Sequence, residues 1–233
     1  MNRKDFEIEI CAGNIASVLA ADSGGADRVE LCENLYEGGT TPSFGSMVLS
    51  KEKSNLDVYV IIRPRGGDFV YSENEFEVML KDIRSAVEIG VDGIVIGCLK
   101  PDGTIDSERC SRLMEAAKGL PVTFHRAFDV TPDPLEALEI IKSLGFSRIL
   151  TSGQQPRAED GLTLIRELQE HAGANLKIMP GSGIDESNIQ KIASFTGVNS
   201  FHASLRKDVE SKDYFRREDV SGNKYKVTSA SKV

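Results

Sequence analysis

Four short segments of this chain share one pattern: Gly25-Ala-Asp-Arg-Val29, Gly90-Val-Asp-Gly-Ile94, Gly145-Phe-Ser-Arg-Ile149 and Gly197-Val-Asn-Ser-Phe201. Each reads as a glycine closing a helix, a short link, and the start of an apolar strand. Leu56-Asp-Val58, Leu120-Pro-Val122 and Leu176-Lys-Ile178 open three more strands, and Phe6-Glu-Ile-Glu-Ile10 supplies the first. Strands starting near residues 7, 28, 57, 93, 121, 147, 175 and 199, with helical stretches after the first seven, predict a TIM-type (β/α)8 barrel with a short or missing last helix. The 233 residues are slightly few for this fold but sufficient.

The connections divide into two kinds. Helix-to-strand links are tight, whereas the strand-to-helix links over 33–46, 64–72, 99–106, 126–133 and 153–161 are long, polar and rich in Gly and Pro. A barrel enzyme builds its site on that second face. Ser72-x-x-Glu75 is a capping box, Asp133-Pro134 starts another helix, and Phe76, Met79, Leu80, Ile83 and Val87 mark one buried helical face. Residues 1–204 therefore read as the barrel. Residues 205–233 read as a polar extension with the start of a final helix at Thr228-Ser-Ala-Ser-Lys-Val233. Such an ending leaves apolar wall beside the first and last strands, to be covered by the tail or by another subunit.

The formal charge of −8 disfavours nucleic acid and anionic membrane surfaces as partners. No signal peptide or membrane-spanning run is evident, and four cysteines without a C-x-x-C suggest reduced thiols in the cytoplasm.

Side chains alternate along a strand, so apolar positions facing the helices place their neighbours in the lumen. Ile8 and Ile10 outward put Glu9 and Cys11 inward, and Val29 and Leu31 outward put Glu30 and Cys32 inward. The same parity turns Arg63, Thr123, His125, Ser200, His202 and Ser204 inward. Lys177 is a further inward candidate. Charges in a lumen are costly unless paired, and the natural arrangement sets Arg63 between carboxylates with the histidines as donors. A buried ion-pair network that only holds the barrel together accounts for this set. So does a catalytic site of Glu9, Glu30, Arg63, His125 and His202, since proton transfer and anion binding need these groups.

Cys11 and Cys32 end adjacent strands at equivalent positions, close enough to grip a soft ion such as Cu(I). Buried cysteine equally serves as a small hydrophobe. Cys98 has the matching parity, and Cys110 lies on a helix. Two glycine turns, Thr151-Ser152-Gly153 and Gly181-Ser182-Gly183, are candidate anion cradles, as is Arg65 in the Arg63-Pro-Arg-Gly-Gly-Asp68 segment. That segment equally suits a solvated loop with a salt bridge to Asp68, and the glycines suit tight turns.

Several longer segments resemble the CutC family of copper homeostasis proteins: Glu7-Ile-Glu-Ile-Cys11, Gly25-Ala-Asp-Arg-Val-Glu-Leu-Cys32, Ile62-Arg-Pro-Arg-Gly-Gly-Asp-Phe69, Thr123-Phe-His-Arg-Ala-Phe-Asp129 and Phe201-His-Ala-Ser204. The resemblance implies a TIM-like barrel, a cytoplasmic location, self-association as a dimer, and a role in copper handling with Cys11 and Cys32 as Cu(I) thiols. It also implies a last helix continuing past Val233. Cys98 and Ser182 depart from the family pattern, which more often has a small apolar residue and a glycine there. A second expectation is an enzyme acting on a small anionic or hydroxylated substrate. In it, Arg63 and the glycine turns bind the anion while a glutamate and His125 pass protons.

Overall fold

A computed structural model describes residues 3–210 and 224–233. Eight parallel strands form the barrel: β1 (Glu7–Ala12), β2 (Arg28–Leu31), β3 (Asp57–Ile61), β4 (Gly93–Ile96), β5 (Val122–Phe124), β6 (Arg148–Thr151), β7 (Lys177–Pro180) and β8 (Ser200–Ala203). All begin within two residues of the expected starts. Seven helices alternate with them: α1 (Ile15–Gly24), α2 (Phe44–Lys53), α3 (Glu73–Ile89), α4 (Ser107–Ala116), α5 (Pro134–Ser143), α6 (Leu162–Ala172) and α7 (Ile189–Thr196). The strand order runs from β7 through β6 to β1 and then β8, with β7 and β8 adjoining without a ladder between them. No described helix is long and apolar enough to cross a membrane.

The helix signals act as local chemistry requires. Gly25, Gly90, Gly145 and Gly197 all have positive φ, the conformation in which a chain leaves a helix at least cost to glycine. Ser72 and Glu75 close their capping box at the start of α3. Phe76, Met79 and Ile83 of that helix are fully buried, each contributing about 1.5–3 kcal/mol of transfer free energy. Leu80 and Val87 pack at the edge of the same core. Asp133 caps α5 through two backbone N–H groups, with Pro134 in its first turn.

Alternation sorts the strand residues into two apolar clusters. Ile8, Ile10, Val29, Leu31, Val58, Val60, Phe124 and Phe201 pack outward against the helices. Cys11, Cys32, Tyr59, Ile61 and Val95 pack together inside the lumen.

Beyond β8 the chain forms a two-stranded antiparallel ribbon, β9 (Arg206–Glu210) with β10 (Lys224–Thr228). A short 3-10 turn over Ala230–Lys232 stands where the start of a final helix was expected. The rest of the predicted polar extension, 211–223, lies outside the described residues. The ribbon is tied to α1 by Asn14 donating to Lys226 O and by Thr228 N–H donating to Ser17 Oγ. A groove of about 280 Å³, bordered by Phe6, Ile8, Ile184, Ile189, Phe201 and Val233, remains beside β8.

Candidate metal and ligand site at the barrel mouth

Register brings the polar lumen together. Glu9 stands opposite Arg28 on one side and His202 on the other, and Cys11 stands opposite Glu30. Arg28 Nε donates to Glu9 Oε2 at 2.5 Å, and its Nη2 also pairs with that oxygen. The Arg28 guanidinium lies 3.3 Å from the centroid of the Tyr59 ring. The space for that ring exists because residue 93 is glycine, where a Cβ would come within 2.1 Å of Tyr59 Cε1. His202 Nδ1 lies 2.6 Å from Glu9 Oε1 and Nε2 lies 3.8 Å from Glu30 Oε2. An ionised carboxylate only accepts, so Nδ1–H is the donor.

The electrostatics follow from this arrangement. Burial works to raise Glu9, but Arg28 and His202 outweigh it and hold the carboxyl well below the usual range. Burial raises Glu30, opposed by His202 and reinforced by Glu9. Burial opposes charge on His202, yet Glu30, Cys11 and Glu9 lift it well above its ordinary value.

Below this layer, at the N-terminal end of the lumen, Glu7 pairs with Arg148 and with the half-exposed Lys177, and accepts from Ser200. Lys177 therefore serves the barrel floor and takes no part in the mouth. Thr123 is buried beside Arg28.

Above it, Cys11 Sγ and Cys32 Sγ lie 3.6 Å apart. Cys32 is fully buried, and Cys11 borders a pocket of about 330 Å³ at the barrel mouth. The contact with Cys32, followed by burial, pushes the Cys11 thiol well up. Cys98 and Cys110 are also free and buried, but behind the barrel wall and among its apolar residues.

Arg63 does not sit between carboxylates. It lies two residues past the end of β3, where the acceptors within reach are loop carbonyls. Nη1 donates to Glu37 O and Gly39 O, and Nη2 donates to Gly67 O. Arg28 holds the expected place beside Glu9. Its inward position follows from the same parity as Glu30 and Cys32, so the signal was present in the sequence.

His125 caps a 3-10 turn by accepting from Ala127 N–H at Nδ1, so Nε2 carries the ring hydrogen. That Nε2 is buried and has no partner among the described residues, while the ring forms part of the pocket wall. Residue 97 must be glycine for this ring to fit, since a Cβ there would stand 2.5 Å from His125 Cε1 and 2.6 Å from Nδ1. Gly97→Ala should displace the ring and cost about 1–3 kcal/mol by overpacking, measured as a shift in denaturation midpoint. A loss within experimental error would show that the ring has room to move.

The remaining anion candidates lie elsewhere. Arg65 is held by Glu75 and Asp68 and does not line the mouth pocket, which realises the salt-bridged loop. The Thr151–Gly153 turn does hold an anion, but it is the chain's own Asp129. That carboxylate accepts from Thr151 Oγ1, from Ser152 N–H and Oγ, from Gln154 N–H and from Arg126 Nε. No sequence pattern announced the pairing, because the carboxylate and its cradle come from the loops after two different strands. The Gly181–Gly183 turn closes against the preceding loop. Gly181 N–H donates to Thr151 O, Ser182 Oγ donates to Pro156 O, and Gly183 faces Arg157.

Residues 6–207 match the CutC family. The chain belongs to the CutC family. A human relative, named copper homeostasis protein cutC homolog, is 48% identical over 98% of this chain and 86% of its own length. The family protein CutC of Parabacteroides distasonis is 53% identical over 91% of this chain and 88% of its own. A solved CutC structure from Streptococcus agalactiae superposes with a TM-score of 0.81 at 39% identity, covering 84% of this chain and 97% of that one. The CutC barrel fold thus belongs to the chain that carries the Cys11–Cys32 pair, and copper homeostasis is what the human relative is named for.

Proposed function

We propose that this protein is a cytoplasmic Cu(I)-binding protein of copper homeostasis, with the metal held as cargo by Cys11 and Cys32. One observation carries the reading: two free thiols meet at 3.6 Å on the floor of the mouth pocket, one bordering it and one buried. Thiolate is the preferred donor for Cu(I), and Ile61, Val95 and Tyr59 pack around the pair as an apolar lining. A metal bound by two thiolates carries net negative charge. His202, whose charged form the neighbours favour, and Arg63 at the rim place positive charge nearby. This gives the hard groups around a soft site an electrostatic use. Buried free thiols also suit a reducing compartment.

Titration with Cu(I) against a competing colorimetric chelator should show one copper per chain. Cys11→Ser combined with Cys32→Ser should abolish it. Copper binding that survives in the double variant would end the reading.

A further inference from the structure

The mouth pocket holds polar groups that two thiols do not use. Arg63 borders it and forms no salt bridge with any described carboxylate; its Nη atoms donate to the carbonyls of Glu37, Gly39 and Gly67. A buried guanidinium whose hydrogen-bond acceptors are all neutral carbonyls, and whose Nε has none among the described residues, presents its charge to the remaining opening. His125, 3% exposed, offers Nε2–H with no partner anywhere among the described residues. Such a donor in a buried place costs stability until an acceptor arrives. Phe69 lies between these two groups, its ring centroid 5.1 Å from the Arg63 guanidinium carbon and 4.9 Å from the His125 ring. It walls one side with an apolar face.

The carboxylates near the pocket do not offset this. Asp129 is saturated by its cradle and Arg126. Glu9 is engaged by Arg28 and His202. Glu30 lines the pocket together with Asp129, and it faces His202 and Cys11.

We infer that the mouth pocket is a binding site for a small oxyanion, a carboxylate or a phosphate, received by the charge of Arg63 and the Nε2–H of His125. The volume of about 330 Å³ admits a small metabolite and no polymer. Burial and the Arg63 charge push His125 down to about 3, so the ring stays neutral at physiological pH with its hydrogen on the pocket nitrogen. This site adjoins the thiols but does not depend on copper.

The test uses copper-free protein, which separates its outcome from the copper titration. Inorganic phosphate and malonate are added separately in thermal melts and calorimetric titrations. A rise in melting temperature with phosphate alone assigns the phosphate class. A rise with malonate alone assigns the carboxylate class, and a rise with both assigns oxyanions in general. No response to either overturns the proposal. His125→Asn keeps an oxygen to cap the turn at Ala127 but removes Nε2–H, its amide nitrogen standing at the ring's Cδ2 position instead. It should weaken anion binding about ten-fold or more. Unchanged affinity in this variant also overturns the assignment. Should the variant fail to fold, the 15N resonance of His125 Nε2 in the unmodified protein decides. It must move on addition of the anion that binds, and an unmoved signal refutes the site.

Discussion

Arg28→Ala is expected to destabilise the barrel by about 3–5 kcal/mol. The guanidinium and the Glu9 carboxylate are both almost completely buried, with side-chain exposures of 4% and 1%. Removing one member of a buried pair leaves the other as an uncompensated charge, and that penalty dominates the loss. The packing of Arg28 on the Tyr59 ring is lost as well. Denaturant midpoints of the purified variant measure the effect. Adding Glu9→Gln in the Arg28→Ala background should recover part of it, because the stranded charge is then gone. A loss below about 1 kcal/mol would show that water or His202 neutralises Glu9 unaided.

The acid limb of the stability curve provides the second large effect. His125 titrates at about 3 in the folded protein, chiefly through burial and then through Arg63. In the unfolded chain a histidine titrates near ~6.5. Between those values the unfolded state holds a proton that the folded state lacks, so stability rises with pH. The contribution is fully present above the unfolded pKa and is lost as pH falls toward the folded one. The slope for one proton is about 1.4 kcal/mol per pH unit. Denaturation at pH 6, 5 and 4 should therefore show a steeper fall in the unmodified protein than in His125→Asn, by close to one proton. Carboxylates such as Glu7, which is also held low in the folded state, fall away in both proteins and cancel in the comparison. Parallel limbs would mean that His125 takes up its proton without unfolding.

The barrel and much of its lumen were legible in the sequence for a simple reason. Period-two alternation and helix-ending glycines are local signals, and they survive in one chain read alone. They placed Glu9, Glu30, Cys11, Cys32, His125 and His202 on the inner face, where the strands bring them together. Pairing was not legible to the same degree. Arg28 and Arg63 have the same inward parity, but only register and depth decide that the first meets Glu9 while the second reaches loop carbonyls. Loop chemistry was the least legible. Asp129 and its cradle lie 22–25 residues apart, on loops with no periodicity to relate them. The 3-10 turn near the C-terminus likewise follows from the docking of β10 on α1, which no local motif encodes.

The Asp129 cradle bears on the thermodynamics of whatever enters the mouth. Four donors from Thr151, Ser152 and Gln154 fasten Asp129, on the loop after β5, to the end of β6 and its loop before any guest arrives. The ordering entropy of that rim is thus spent during folding rather than at association. A guest of the barrel forfeits little beyond its own rotational and translational freedom, so even a small molecule with few contacts can be retained.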